Sequence, residues 1–213
     1  MSADARKLNI GCGHNILPGY TNLDRSHDVG ADIIFDLEHC GGGNRRPTLR
    51  RRLPFPDDHF DEILASHIIE HIRNILPLMQ ELHRVAKPGA YLILRTPFGS
   101  TASAFDDPTH IRYLFPSSYW YFGQPAYARA DYGYRGDWDL EEVGLTVLPQ
   151  LAEKLEDAGI AIEFAVTHLN NIVHEMIASL KCVKPIRSPQ TADMKPLKPF
   201  IKILTKEEFQ PNG

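Results

Sequence analysis

Leu8-Asn9-Ile10-Gly11-Cys12-Gly13 and, after a short connector, Pro18-Gly19-Tyr20-Thr21-Asn22-Leu23-Asp24 decide how this chain folds. A brief apolar run into Gly-x-Gly reads as a buried strand that stops at Gly11. Tyr20 to Asp24 reads as a second strand that ends on an acid. Ala31-Asp32-Ile33-Ile34-Phe35-Asp36 reads as a third, also ending on an acid, and Phe60 to Ala65 as a fourth. Between Glu70 and Ala86, the apolar residues Ile72, Ile75, Leu76, Met79, Leu82 and Val85 recur at helical spacing. Lys87-Pro88-Gly89 stops that helix, and Ala90 to Arg95 forms a fifth strand closed by Thr96-Pro97.

Short apolar strands alternating with connectors predict an α/β fold. The expected architecture is a Rossmann-like, doubly wound and mostly parallel sheet with helices on both faces. The loops after the strands then gather on one edge, where such sheets bind ligands. Residues 1–98 form this core. Residues 99–138 read as an insertion, because Phe105, Tyr113, Phe115, Tyr119, Trp120, Tyr121 and Phe122 are too many aromatics for a solvated linker. Residues 139–185 complete the sheet, with an amphipathic helix over Leu148 to Ala158 and a strand over Ile172 to Val183. Residues 186–213 are expected to be a peripheral tail.

The composition is ordinary for a globular chain of 213 residues, long enough to bury a core without disulfides or metal. A net charge of -4 supplies no general attraction to nucleic acid or anionic membrane. Cys12, Cys40 and Cys182 cannot all pair within one chain and show no CxxC spacing. They read as free thiols in a reducing cytoplasm. The first residues lack the apolar run of a signal peptide, and no stretch approaches the roughly 20 apolar residues of a membrane span.

Gly-x-Gly alone is weak evidence, since it lets a backbone approach any ligand closely. The acids sharpen it. Asp24 at a strand end can accept ribose hydroxyls, as in nucleotide-binding sheets generally. Asp36, one strand further, is placed to meet an adenine amino group.

These segments together resemble the class I S-adenosylmethionine-dependent methyltransferases, in the compact form whose first helix is reduced to a loop. The resemblance covers the glycine turn through Asp24, Asp36-Leu37-Glu38, and Leu53-Pro54-Phe55-Pro56-Asp57-Asp58-His59-Phe60-Asp61. It extends over Ser66-His67-Ile68-Ile69-Glu70-His71-Ile72 and Glu81-Leu82-His83-Arg84-Val85-Ala86-Lys87-Pro88-Gly89. It implies S-adenosylmethionine as cofactor and S-adenosylhomocysteine as product. It implies that Gly11, Cys12 and Gly13 pass under the methionine portion, that Asp24 holds the ribose, and that Asp36 with Leu37 holds the adenine. Ser66 and His67 would line the pocket near the sulfonium. Glu70-His71 would start the helix beneath the site, with His71 in the cofactor's surroundings. The short path from Gly13 to Asp24 leaves no helix N-terminus for a pyrophosphate, which disfavours a nicotinamide dinucleotide.

Methyl transfer from a sulfonium is an in-line displacement, and a hydroxyl or protonated amine acceptor needs a base. Asp106-Asp107-Pro108-Thr109-His110 follows the fifth strand and also resembles a segment of related methyltransferases. His110 with Asp107 is the first choice for that base; bracing of the insertion by these two residues is the structural alternative. His67 and His71 are further candidates. The order of His67, Glu70 and His71 is not H-E-x-x-H, so no metal is expected. Gly41 to Arg52 carries five arginines (Arg45, Arg46, Arg50, Arg51, Arg52). It reads either as a solvated loop or as a holder of substrate phosphate or carboxylate. The expected acceptor is a small molecule or sugar-like metabolite. A cofactor-binding protein without turnover is the alternative, and a homodimer is compatible with either.

Overall fold

The computed structural model describes residues 5–41, 52–124, 126, 132–189 and 200–205. Eight strands form one sheet: β1 (Lys7–Ile10), β2 (Tyr20–Asp24), β3 (Ile33–Ile34), β4 (Phe60–Ser66), β5 (Ala86–Pro97), β6 (Trp138–Val147), β7 (Val173–Cys182) and β8 (Phe200–Thr205). Their order is β3-β2-β1-β4-β5-β7-β6-β8. Strand β7 is antiparallel to β5 and β6, whereas β1 pairs parallel with β2 and β4, and β6 pairs parallel with β8. The helices are α1 (Ile75–Val85), α2 (Ala102–Asp106), α3 (Pro149–Asp157) and α4 (Ile162–His168). This is the mixed α/β, mostly parallel architecture that the strand alternation predicts.

Register places the strand ends on one edge. Ile10 pairs with Leu23 and Ala65, Ser66 with Arg95, and Pro97 with Glu175 of β7. Alternate residues Leu8, Ile10, Ile63, Ala65, Leu92 and Leu94 are fully buried and share one core with Leu78, Met79, Leu82 and Val85 of α1. At about 25 cal/mol per Å² of apolar surface, this burial is the main force holding the sheet edge rigid. A smaller core joins Val147, Leu155, Ala165 and Ile172 where α3 and α4 meet the sheet.

The differences from the periodicity have local causes. The helix expected from Glu70 begins at Ile75. Residues 67–74 form turns, because their carbonyls find partners from elsewhere in the chain. Arg112 donates to Ile69 O at 3.4 Å, to Arg73 O at 2.9 Å and to Ile72 O, and Ile111 N donates to Glu70 O at 3.0 Å. The third strand shrinks to Ile33–Ile34, closed by Phe35 N donating to Asp24 O of β2. Strand β5 begins at Ala86 and runs through the Lys87-Pro88-Gly89 turn expected to precede it. Strand β6, which has no clean alternation, is interrupted by a bulge between Leu140 and Glu142. Residues 200–205, within the stretch expected to be peripheral, pair with β6. Cys12, Cys40 and Cys182 are free and buried, and burial pushes the Cys40 and Cys182 thiols up to about 12. Among the described residues no helix is long and apolar enough to cross a membrane.

Candidate functional site

The glycine turn is shaped by contact. Gly11 and Gly13 have φ of +62° and +50°, in the left-handed region. A Cβ on Gly11 would lie 2.5 Å from Ile68 Cγ1, so the turn after β1 presses against the turn after β4. Cys12 N donates to Leu23 O at 3.1 Å. Gly13 N donates to Asp24 Oδ2 and Ser26 N to Asp24 Oδ1, both at 2.9 Å. The Asp24 carboxylate is therefore fixed at the end of β2, with lone pairs left for a ligand. Asp36 caps the 3-10 turn Leu37–His39 by accepting from Glu38 N at 3.0 Å, and Leu37 is buried beneath it.

Beside this turn lies a charged cluster. His67 sits at φ +52° immediately after β4. Its Nε2 is 2.7 Å from Glu175 Oε1 and its Nδ1 is 3.5 Å from Glu70 Oε1. Arg95 grips the same Glu175 through Nε at 3.1 Å and Nη2 at 2.7 Å. The bond to Glu175, helped by Glu70, outweighs burial and raises the His67 imidazole to about 9. Burial pushes the Glu175 carboxyl up, but the bonds from His67 and Arg95 outweigh it and leave it below its ordinary value. Both carboxylates therefore favour the protonated form of the His67 ring.

The insertion contributes a second group. Thr109 donates to Asp107 Oδ1 through its backbone N at 2.8 Å and its hydroxyl at 2.6 Å. Its hydroxyl oxygen lies 2.8 Å from His71 Nδ1. Since the hydroxyl proton goes to Asp107, the network assigns the Nδ1 proton of His71 as the donor to Thr109. His110 Nδ1 lies 3.0 Å from Ala104 O and donates to it. Its Nε2 is 3.8 Å from Asp107 Oδ2, too long for a hydrogen bond. The Asp107 and His110 side chains are therefore not hydrogen-bonded, and Asp107 is linked through Thr109 to His71. The His71 and His110 rings meet edge to face at 4.7 Å.

The structure joins Gly13 and Asp24 directly, and links Gly11 through Ile68 to the segment carrying Ser66, His67 and His71. Ser66 ends β4 beside Arg95. His71 sides with the insertion through Thr109 and His110. Asp36 stands apart at the end of β3. Of the arginine stretch, residues 42–51 lie outside the described residues. Sequence reasoning missed Glu175, although an acid at an inward position of an apolar strand was visible there. It also missed Tyr119, fully buried with its hydroxyl 2.5 Å from Thr96 Oγ1. Around the edge, Phe105 stacks on Tyr113 at 4.2 Å and both are about half exposed. A groove beside them is lined by Gly99, Ser100, Thr101, Phe105, Asn170 and Asn171.

Residues 8–94 match the methyltransferase domain family. Over 98 residues the chain is 32% identical to the 2-phytyl-1,4-naphtoquinone methyltransferase of Synechococcus elongatus, covering 45% of this chain and 39% of that protein. Over 43 residues it is 37% identical to the ubiquinone/menaquinone biosynthesis C-methyltransferase UbiE of Coxiella burnetii, covering 20% of this chain and 17% of that protein. The chain thus aligns with less than half the length of either curated relative. A SAM dependent methyltransferase from Archaeoglobus fulgidus shares the fold with a TM-score of 0.57 at 14% identity, over 84% of this chain and 86% of that one. Residues 8–94 thus form a methyltransferase domain, and the sheet built around it has the fold of the Archaeoglobus fulgidus protein.

Proposed function

We propose that the chain transfers a methyl group from S-adenosylmethionine to a small-molecule acceptor. The observation that carries this reading is the Asp24 carboxylate, clamped by Gly13 N and Ser26 N beside a left-handed glycine turn whose Gly11 packs on Ile68. In this reading Asp24 accepts the ribose hydroxyls, and Gly11, Cys12 and Gly13 pass under the methionine portion. Asp36 and Leu37 border the adenine, Ser66 and His67 face the sulfonium side, and His71 stands between cofactor and acceptor. The bound cofactor supplies an activated methyl group. The protein aligns the acceptor atom opposite the departing sulfur and keeps water out. The chemistry the cofactor would supply is transfer of that methyl group to the acceptor atom, with S-adenosylhomocysteine as the product.

Residues 99–138 provide the acceptor side. The half-exposed Phe105–Tyr113 stack and Phe115 give this side flat apolar surface, which suits a ring better than a sugar. The curated relatives, named for naphthoquinone and quinone methylation, support a ring acceptor as well. The three unpaired buried thiols suit a reducing compartment such as the cytoplasm.

The test is transfer of a labelled methyl group from S-adenosylmethionine into a panel of demethylated quinols, other ring metabolites and sugars. Label in a ring compound supports the reading. Cofactor binding with no transfer to any class would favour a protein that binds without turnover.

A further inference from the structure

The Glu70, His71 and His110 side chains bring ligand atoms within 4.8 Å of one another, one from each residue. What distinguishes this cluster is that every member presents lone pairs and no member presents a proton. The His71 Nδ1 proton goes to Thr109 and the His110 Nδ1 proton goes to Ala104 O, so in the neutral rings both Nε2 atoms are bare. Glu70 is 1% exposed, and neither of its carboxylate oxygens has a hydrogen-bond partner. The nearby His67 Nδ1, at 3.5 Å, meets one oxygen by charge alone, so the buried carboxylate keeps unused acceptor capacity that a cation would satisfy.

We infer that Glu70, His71 and His110 bind a divalent transition-metal ion. Two imidazoles and one carboxylate suit zinc, iron, nickel or manganese rather than calcium or magnesium. The supporting contacts are those that orient metal-bound imidazoles. His110 is held by a backbone carbonyl, and His71 is held through Thr109 by the Asp107 carboxylate. Glu70 and His71 are adjacent in sequence and cannot share one helix face. They share a site because residues 67–74 are turns, fixed by Arg112 and by the bond from Ile111 N to Glu70 O. The third ligand comes from the insertion, which is why the missing H-E-x-x-H spacing gave no warning of it. Three protein ligands leave coordination positions for other atoms. That an acceptor oxygen takes one of them rests on the proposed methyl transfer; the binding of metal does not.

The experiment uses the full chain, stripped with a chelator and titrated with Co²⁺ and then Zn²⁺. One equivalent of Co²⁺ is expected to give visible absorption bands, which one equivalent of Zn²⁺ then removes. His71→Ala, His110→Ala and Glu70→Gln are each expected to lose the bands, while His59→Ala, at the opposite edge of the sheet, keeps them. Thr109→Val leaves all three ligands in place and is expected to weaken Zn²⁺ binding by about 10- to 100-fold. Far-ultraviolet circular dichroism verifies folding, and Thr109→Val carries the test if a ligand variant unfolds. Absence of bands in the folded parent chain, bands unchanged in the folded ligand variants, or a Zn²⁺ affinity unchanged in Thr109→Val overturns the inference. The optical readout needs no turnover, so failed methyl transfer and failed metal binding are separately visible.

Discussion

Gly13 donates its backbone N–H to Asp24 Oδ2 at 2.9 Å, tying the turn after β1 to the end of β2. The bond spans the short connector that replaces a helix in this sheet. It fixes the carboxylate from behind, so a ligand meets a group already oriented.

Asp24→Ala removes that group and strands the amides of Gly13 and Ser26. Hydrogen bonds to charged groups contribute about 1.5–3 kcal/mol, so S-adenosylmethionine affinity should fall about ten- to hundredfold. Calorimetric titration of the variant checks this; an unchanged dissociation constant contradicts it.

Gly11→Ala meets two obstacles. A left-handed φ costs a non-glycine residue about 1–2 kcal/mol, and the new methyl group overlaps Ile68. Overpacking adds about 1–3 kcal/mol. Ile68→Ala in the same chain should recover the packing part and leave the backbone part. Urea melts of the single and double variants, compared as a cycle, read the two contributions separately.

Glu175→Gln leaves His67 and Arg95 without their shared counter-charge. Breaking a fully buried pair costs about 3–5 kcal/mol, but the His67 side chain is 49% exposed and that of Arg95 25%. Solvent screening lowers the expected loss to about 2–3 kcal/mol, read as a shifted denaturation midpoint. A midpoint equal to the parent's would show that the cluster contributes little to holding β5 and β7 together at this edge.

Arg112→Lys keeps the charge and loses the planar fork that serves Ile69, Ile72 and Arg73 carbonyls. Residues 67–74 should then exchange amide protons faster, by about tenfold for a loss near 1.4 kcal/mol. Hydrogen exchange followed by mass spectrometry resolves this segment. Equal protection in both chains would assign its order to the Gly11–Ile68 contact instead.

The fold was legible wherever local pattern and tertiary packing agree. Leu8 to Ile10, Phe60 to Ala65 and Ala90 to Arg95 read as strands, and α1 shows helical spacing because its apolar stripe faces the core. Asp24 was legible because an acid at a strand end has a defined place in such sheets. Residues 70–74 were misread as the start of α1, because the partners that settle their conformation, Ile111 and Arg112, lie in the insertion. Asp107 and His110 were found as a pair by proximity in sequence. Their backbones are joined by His110 N donating to Asp107 O, while the Asp107 side chain reaches through Thr109 to His71, which only the folded chain brings near. Strand β6 was not read as a strand, since its bulge breaks the alternation that marks one.

Calorimetric titration of the full chain with S-adenosylmethionine, S-adenosylhomocysteine and NADH tests the central claim most directly. The account predicts one site shared by the first two ligands, with weaker or no binding of NADH. Tighter binding of NADH, or no binding of S-adenosylmethionine, contradicts it.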